Sequence, residues 1–206
     1  MSTYRNGLRF TPIEITLVGM FAALMAVGAN ITSWAPFLQV AGIPLTMQPF
    51  FAVLAGLLLG SRLGAVAMAV YIAIGLAGAP VFAKFSTGLT VLYGPTGGFL
   101  LSFIAVAYAA GKIIEKADGE PGLPHFFAAA FTGIFLNYFL GTNYMYAAVN
   151  TWIGAEISYA QAWAGMMLFA VKDAAFTAVA AMVAPRLYRV ISRSHALTRA
   201  RSNDVA

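Results

Sequence analysis

The sequence predicts an all-α integral membrane protein: one bundle of six transmembrane helices with both termini in the cytoplasm. Composition, long charge-free intervals and the placement of Lys and Arg support this prediction. Of the 206 residues, 61% are hydrophobic and only 9% are charged, whereas about 25% charged residues is usual in soluble domains. At roughly 20 apolar residues per crossing, the chain has room for about six spans. It has no room for a nucleotide-hydrolysing domain of its own.

The first two helices follow from a charge-free interval. No charged residue lies between Glu14 and Arg62, an interval too long for one crossing and suited to two crossings joined by an uncharged loop. We predict helices over 13–33 and 49–60. Pro36 and other prolines between them cannot all lie in continuing helix, so they form the loop.

The remaining helices are bounded by turn residues. A tight turn at Ser61 and Arg62 precedes the third helix, Pro80 follows its end, and Pro95 is placed to open the fourth. The chain is expected to form a single membrane domain over 1–206. The predicted ranges are 63–79, 96–114, 125–148 and 161–190, followed by a basic cytoplasmic tail over 191–206.

The twelve Lys and Arg residues are distributed unequally between the two sides. With six crossings, one side receives only Lys84, and the positive-inside rule makes the other side cytoplasmic. The net charge of +5 therefore reflects topology rather than nucleic-acid binding. We expect the arginine-rich tail to meet anionic lipid head groups or an acidic partner surface. The ten cytoplasmic residues are Arg5, Arg9, Arg62, Lys112, Lys116, Arg186, Arg189, Arg193, Arg199 and Arg201.

One place in the sequence puts charges in the middle of a predicted helix. Lys172 and Asp173 are adjacent near the centre of 161–190, where a charged residue costs about 2.5 to 3.5 kcal/mol on insertion scales and suggests a functional site. As neighbours they point about 100° apart, so we expect them to pair poorly and to address different partners. Lys172 offers a cation for a carboxylate, and Asp173 an acceptor for N–H donors. Alternatively, polar groups on a neighbouring helix neutralise each charge.

Further polar residues cluster on the non-cytoplasmic half. Together with an apolar and aromatic wall they predict a pocket for a small amphipathic ligand. Some have a simpler interpretation: Lys84 is typical of a solvated loop charge, and Asn137 could link two helices. The candidate substrate-binding residues are Lys172, Asp173, Asn137, Thr46, Gln48, Tyr93, Asn143 and Tyr144.

The sequence disfavours several kinds of chemistry. It contains no cysteine and only two histidines, which removes thiolate chemistry and makes a histidine-rich metal site unexpected. We therefore predict neither a metal nor a cofactor. The run Gly94-Pro95-Thr96-Gly97-Gly98 lacks the lysine and preceding strand of a phosphate loop. It indicates a closely packed turn at the start of a helix.

Small residues in the first helix allow another helix to approach closely. Ala22 and Ala26 form a small-xxx-small pair, a pattern common at helix contacts in membranes. Two interpretations remain open for this pair. It can contact a partner helix, or it can pack inside the bundle.

Six segments in order along the chain carry a family resemblance: LTMQPF at 45–50, AGLLLG at 55–60, RLG at 62–64, GLAGAPVF at 75–82, GPTGGF at 94–99 and Lys172-Asp173. They resemble the substrate-binding S components of energy-coupling factor (ECF) vitamin transporters, specifically the biotin-specific BioY family. The resemblance implies a six-helix protein of the cell membrane that binds biotin near the outer face and is not an enzyme. It also implies docking through Ala22 and Ala26 onto a transmembrane coupling protein that rides on two ABC-type ATPases. One departure is the segment 83–86, where smaller, glycine-rich residues are expected.

Biotin agrees with the residues, although they do not select it by themselves. Its carboxylate, aliphatic chain and ureido ring suit a lysine, an apolar wall and an acid or amide. Two other functions remain as alternatives. A stand-alone proton-coupled small-molecule carrier normally needs several intramembrane acids, and Asp173 is the only carboxylate predicted deep in a helix. An intramembrane enzyme needs a nucleophile and base or a metal cluster, whereas His125 and His195 flank the cytoplasmic side.

The charge asymmetry predicts which loops face each side of the membrane. Site-directed labels in one set should react from the cytoplasm, and labels in a second set should react from outside. Opposite accessibility of the Asp118 loop and the C-terminus would show that the crossings are miscounted. The cytoplasmic set is Arg5, Asp118 and Arg201, and the outer set is Gly42, Thr87 and Glu156.

Overall fold

A computed structural model of the chain describes residues 10–34, 39–40 and 43–203. Within these residues, five helical stretches are long and apolar enough to span a membrane. Positions 5, 9, 36 and 42, which the sequence predictions used, lie outside the described residues. The elements are α1 (Pro12–Asn30), β1 (Gln39–Val40), β2 (Ile43–Pro44), α2 (Gln48–Leu76), α3 (Thr90–Tyr93), α4 (Gly97–Glu115), α5 (Leu123–Ala148) and α6 (Tyr159–Asn203).

The start of α1 is fixed by its sequence. The Thr11 side chain accepts a hydrogen bond from the Glu14 backbone N–H at 3.3 Å, and the Glu14 carboxylate accepts one from the Thr11 N–H at 2.7 Å. This reciprocal cap satisfies two backbone donors that a helix start otherwise leaves unpaired, and Pro12 supplies a preset φ. The helix continues as a short 3-10 turn over Ile31–Trp34. A two-residue antiparallel pair, β1 with β2, follows before α2.

The long helix α2 is interrupted at Gly60. This residue has φ 79° and ψ 179°, outside helical values, and the positive φ favours glycine. The Gln48 side chain donates to the Tyr71 hydroxyl at 3.0 Å, although 23 residues separate them. A Cβ added to Gly64 would lie 3.1 Å from the Ala55 carbonyl oxygen. The arms 48–59 and 61–76 therefore run antiparallel and pack against each other, with Gly60 next to the predicted turn.

The end of α4 holds this break in place. One Glu115 carboxylate oxygen accepts from the Ser61 backbone N–H at 2.6 Å and from its hydroxyl at 2.8 Å. The carboxylate thus caps the start of the second α2 arm, where unpaired N–H groups favour a negative charge. Lys112 pairs with the same carboxylate at 3.0 Å. Gly111 lets the two backbones touch, because a Cβ there would overlap the backbone of Ser61.

The core centres on α2, which contacts α1, α4, α5 and α6. One buried apolar cluster joins these five helices, and Phe21, Met25, Tyr71 and Phe126 are among its largest side chains. A second cluster lies between α5 and α6 and includes Phe169. It is separate from the main core, and its part of the bundle borders the candidate site described below.

Several helix limits differ from those predicted. The predicted third helix over 63–79 ends at Leu76, because Gly78 adopts φ 110° and turns the chain. The predicted tail begins as helix: α6 continues through Asn203, since no residue after Pro185 breaks it. A π-helical turn over Val149–Ile153 ends α5. The short helix α3 was not predicted.

Apart from Lys172 in the middle of α6, the following basic residues lie at the two ends of the bundle. The Arg62 guanidinium lies 5.1 Å from the centre of the Phe10 ring, which puts the α2 break beside the start of α1. Lys112 and Lys116 belong to the end of α4 that packs on the same break. We call this the basic end. Lys84 lies at the opposite end, which we call the outer end.

Two glycines provide a matched test of the packing at the α2 break. Gly111→Ala should lower the free energy of unfolding by about 1 to 3 kcal/mol. The added methyl group would overlap the backbone of Gly60 and Ser61. Gly19→Ala is the control, since a Cβ there meets nothing within 4 Å. Its stability should stay unchanged or rise slightly. Thermal unfolding of the purified variants in detergent measures both, and equal melting temperatures would contradict the close approach.

Candidate functional site

A cavity of about 300 Å³ opens at the outer end of the bundle. This volume lies at the lower limit of small-molecule pockets, which span about 300 to 1,000 Å³. Apolar and aromatic side chains form most of its wall, and a few polar groups converge on it. The lining residues are Thr46, Gln48, Pro49, Phe82, Ala83, Lys84, Ser86, Val91, Pro95, Thr96, Phe99, Leu100, Phe103, Asn137, Tyr138, Met145, Met166, Phe169, Lys172 and Asp173.

The charged residues of α6 form an ion pair at this cavity. Lys172 Nζ lies 2.7 Å from Asp173 Oδ1, and it also donates to the Thr46 carbonyl oxygen. The expectation that adjacent residues would pair poorly is therefore wrong. The lysine stem has four carbons and can bend around the helix, so a 100° separation between Cβ directions does not prevent contact. In an apolar bundle an unpaired charge is far less favourable than a bent side chain.

Tyr138 on α5 completes the pair. Its hydroxyl donates to Asp173 Oδ2 at 2.7 Å, and both side chains are buried. Each carboxylate oxygen therefore has a donor, one from the ammonium and one from the phenol. Sequence reasoning missed Tyr138, although it directly follows the candidate Asn137. The usable signal was a tyrosine among apolar residues of a predicted helix that carries three other candidate binding residues.

Two other predicted residues line the cavity and also hold the bundle together. Asn137 Oδ1 accepts from the Ser102 hydroxyl at 2.8 Å, which links α5 to α4. Gln48 donates to the Tyr71 hydroxyl, which in turn donates to the Val81 carbonyl at 3.0 Å. Their polar groups are therefore partly satisfied within the chain. Thr46 lines the cavity too, and its carbonyl accepts from Lys172.

The loop after α2 forms one wall of the cavity and carries unusual backbone angles. Lys84 and Phe85 adopt φ of 60° and 54°, a left-handed conformation that favours glycine. This is the segment in which the family resemblance predicts smaller, glycine-rich residues. Asn30 Oδ1 accepts from the Phe85 N–H at 2.7 Å and anchors the loop to α1. Lys84, treated above as a solvated loop charge, lines the cavity in the structure.

Three predicted binding residues lie outside the cavity lining. Tyr93 is 67% exposed. Asn143 donates to the Phe139 carbonyl and accepts from the Tyr159 hydroxyl. Tyr144 donates to the Leu92 carbonyl at 2.7 Å. The side chains of Asn143 and Tyr144 therefore make their hydrogen bonds within the chain, outside the cavity lining.

Of the two interpretations left open for Ala22 and Ala26, the structure supports packing inside the bundle. Ala22 is 5% exposed and belongs to the main core, and Ala26 is half-buried against it. Neither therefore forms an open surface. The exposed small residues of α1 are Gly19 and Ala23. The spacing of four is the same, shifted by three residues along the helix.

Comparisons with known proteins agree on one family. A sequence model described as the BioY family matches residues 3–193. A protein of Bacillus subtilis (strain 168) named "Putative biotin transporter BioYB" is 52% identical over 186 residues, covering 90% of this chain and 92% of that protein. The "Biotin transporter BioY" of Thermotoga maritima is 34% identical over 177 residues, covering 86% and 96%.

One solved structure shares the fold. It is titled as the S-component for biotin from an ECF-type ABC transporter, and it matches with a TM-score of 0.64. The match covers 88% of this chain and 95% of that chain at 17% sequence identity. At this identity, the similarity concerns the arrangement of the helices.

Proposed function

The chain belongs to the BioY family, and we propose that it is a biotin-binding S component of an ECF-type transporter in the cell membrane. It would capture biotin at the outer end for import driven by partner ATPases. Relatives named as biotin transporters and long apolar helices support a transport function rather than enzymatic catalysis. The observation that carries the proposal is the Lys172–Asp173 pair in a mostly apolar cavity.

The chemistry of this pair matches the polar groups of biotin. Asp173 presents a carboxylate acceptor for a ureido N–H group, and Lys172 presents a cation for the carboxylate of the ligand. The described residues supply acceptors for two of the three N–H groups of Lys172, so one donor can turn to a ligand. Aromatic residues such as Phe99 and Phe169 provide apolar surface for the ring and the aliphatic chain of biotin.

We also propose six crossings with both termini cytoplasmic. The helix α2 folds back at Gly60 into two antiparallel arms, which supports counting it as two crossings rather than one. The gathering of arginine and lysine at the basic end supports a cytoplasmic orientation for that end. In this arrangement the cavity opens toward the outside, where a vitamin arrives. The whole chain then acts as one membrane domain.

The partners of an S component would be a transmembrane coupling protein and ABC-type ATPases. We propose that the docking face on α1 includes Gly19 and Ala23, which are exposed, rather than Ala22, which is buried. Small exposed residues let a partner helix approach closely, and close packing drives helix association in lipid. This face is distinct from the cavity lining.

Removing either member of the charged pair should abolish high-affinity binding. Lys172→Ala and Asp173→Ala each leave a buried partner unpaired and remove a ligand contact, which typically costs 2 to 5 kcal/mol, or roughly 30-fold to several thousand-fold in affinity. Equilibrium binding of radiolabelled biotin to the purified protein measures the loss. Lys116→Ala, an exposed lysine at the basic end, is the matched control and should bind like the parent.

The comparison requires that each variant inserts into the membrane and elutes from size-exclusion chromatography like the unmodified protein. Parent-like affinity in both variants would remove the pair from the binding site. Failure of the parent itself to bind biotin would contradict the proposed ligand.

Bulky substitutions on α1 should separate binding from transport. Ala23→Leu adds volume on an exposed surface, so biotin binding should survive while ATP-driven uptake with the coupling protein and ATPases falls severalfold. Ala22→Leu adds the same volume inside the core, which typically costs 1 to 3 kcal/mol. It should lower folding yield and binding together. Bound biotin per folded molecule, measured beside uptake, distinguishes the two effects.

The outcome is informative in both directions. Normal uptake by Ala23→Leu would show that this face does not contact the coupling protein. A parallel loss of binding and uptake at position 23 would place Ala23 in the internal packing instead.

A further inference from the structure

The short helix α3 forms part of the cavity wall and is held by two side chains from α5 and the π-helical turn that follows it. The Tyr144 hydroxyl donates to the Leu92 carbonyl at 2.7 Å. The Trp152 indole N–H donates to the next carbonyl, that of Tyr93, also at 2.7 Å. These are the last two carbonyls of α3, and a helix end leaves such groups without donors from the helix itself.

The sequence provides space for this contact. A Cβ added to Gly98 would overlap the side chain of Tyr144, so glycine allows the ring to lie against the first turn of α4. The neighbouring Gly97 allows the Leu92 backbone to approach in the same way. Trp152 packs edge-on against Tyr144 with ring centres 5.9 Å apart. The paired glycines thus support a specific placement of the Tyr144 hydroxyl.

Much of α3 and its surroundings is exposed to solvent or lipid. Its neighbour Leu89 is 61% exposed and its last residue Tyr93 is 67% exposed. Val91 and Leu92 are the half-buried residues of the helix. Gly88, before the start of α3, adopts φ 81°, a backbone conformation that favours glycine. A segment with little burial depends strongly on individual hydrogen bonds.

We propose that Tyr144 and Trp152 are positioning residues that latch α3 over the cavity and set the rate at which a ligand enters and leaves. Val91 and the following Pro95 line the cavity, so movement of α3 away from the bundle opens its wall. Neither Tyr144 nor Trp152 is among the residues that line the cavity. Both act through the backbone of α3. The identity of the ligand used below rests on the proposed function, whereas the opening of α3 does not.

A thiol reporter tests the opening without any ligand. The natural chain has no cysteine, so Leu100→Cys introduces a single thiol on the cavity wall at a residue that is 5% exposed. In nanodiscs, Tyr144→Phe and Trp152→Phe should each speed maleimide labelling of this thiol about two- to tenfold. This is the change expected when one neutral hydrogen bond is lost. Tyr108→Phe, at a half-exposed tyrosine on α4, is the matched control and should leave the rate unchanged.

A second reporter separates opening of α3 from general loosening. Ala129→Cys places a thiol at a fully buried position of α5 outside the cavity lining, and its labelling should not respond to Tyr144→Phe or Trp152→Phe. Equal acceleration at both reporters would assign the effect to global destabilisation and overturn the latch. Parent-like labelling of Leu100→Cys in both latch variants would overturn it as well.

Binding kinetics provide the functional readout in chains that keep Leu100. With radiolabelled biotin, both latch variants should show faster association and faster dissociation, with the dissociation constant changed less than either rate. Unchanged rates in both would overturn the latch as a control on exchange. If the parent does not bind biotin but labelling still accelerates, the proposed ligand fails and the latch stands.

Discussion

The outer half of the structure depends on the requirement that charges buried in an apolar bundle neutralise each other. Lys172 and Asp173 meet at 2.7 Å, and Tyr138 and the Thr46 carbonyl supply further hydrogen bonds. Removing one partner of a buried pair typically costs 3 to 5 kcal/mol. The elements that carry these partners are α5 and the residues just before α2, so the pair fixes how both approach α6. The cavity is therefore lined by a hydrogen-bond donor, Lys172, directly beside an acceptor, Asp173.

A second constraint comes from the backbone, because unpaired N–H and C=O groups are costly where water is absent. At three interruptions among the described residues, side chains satisfy the freed backbone groups. At Gly60 the Glu115 carboxylate accepts from Ser61, and in the loop over the cavity Asn30 accepts from Phe85. At the end of α3, phenol and indole donors meet two carbonyls. Polar side chains therefore hold these interruptions in place, in addition to the charged pair in the middle of α6.

Much of this arrangement could be predicted from the sequence, and the limits of prediction have physical causes. Charge-free intervals and prolines indicated the apolar helices, and a charged pair in mid-helix indicated the site. Helical geometry alone misjudged the pair, because Cβ directions ignore the reach of a lysine stem. The hydrogen-bond partners of Tyr138 and Tyr144 could not be predicted, since both depend on which residue of another helix lies opposite. Ala22 and Ala23 differ by one position, and only packing shows which of them is buried.

The small residues fall into two groups: some pack against other parts of the chain, and others lie on an exposed surface of the bundle. Gly97, Gly98 and Gly111 sit where another part of the chain would overlap a side chain, so their size is required for this fold. Gly19 has open space around it, and Ala23 is exposed beside it on α1. Their size is not required by any contact within the described bundle. Because this face and the cavity use different residues, substitutions on α1 can alter helix association while the polar groups of the cavity keep their partners.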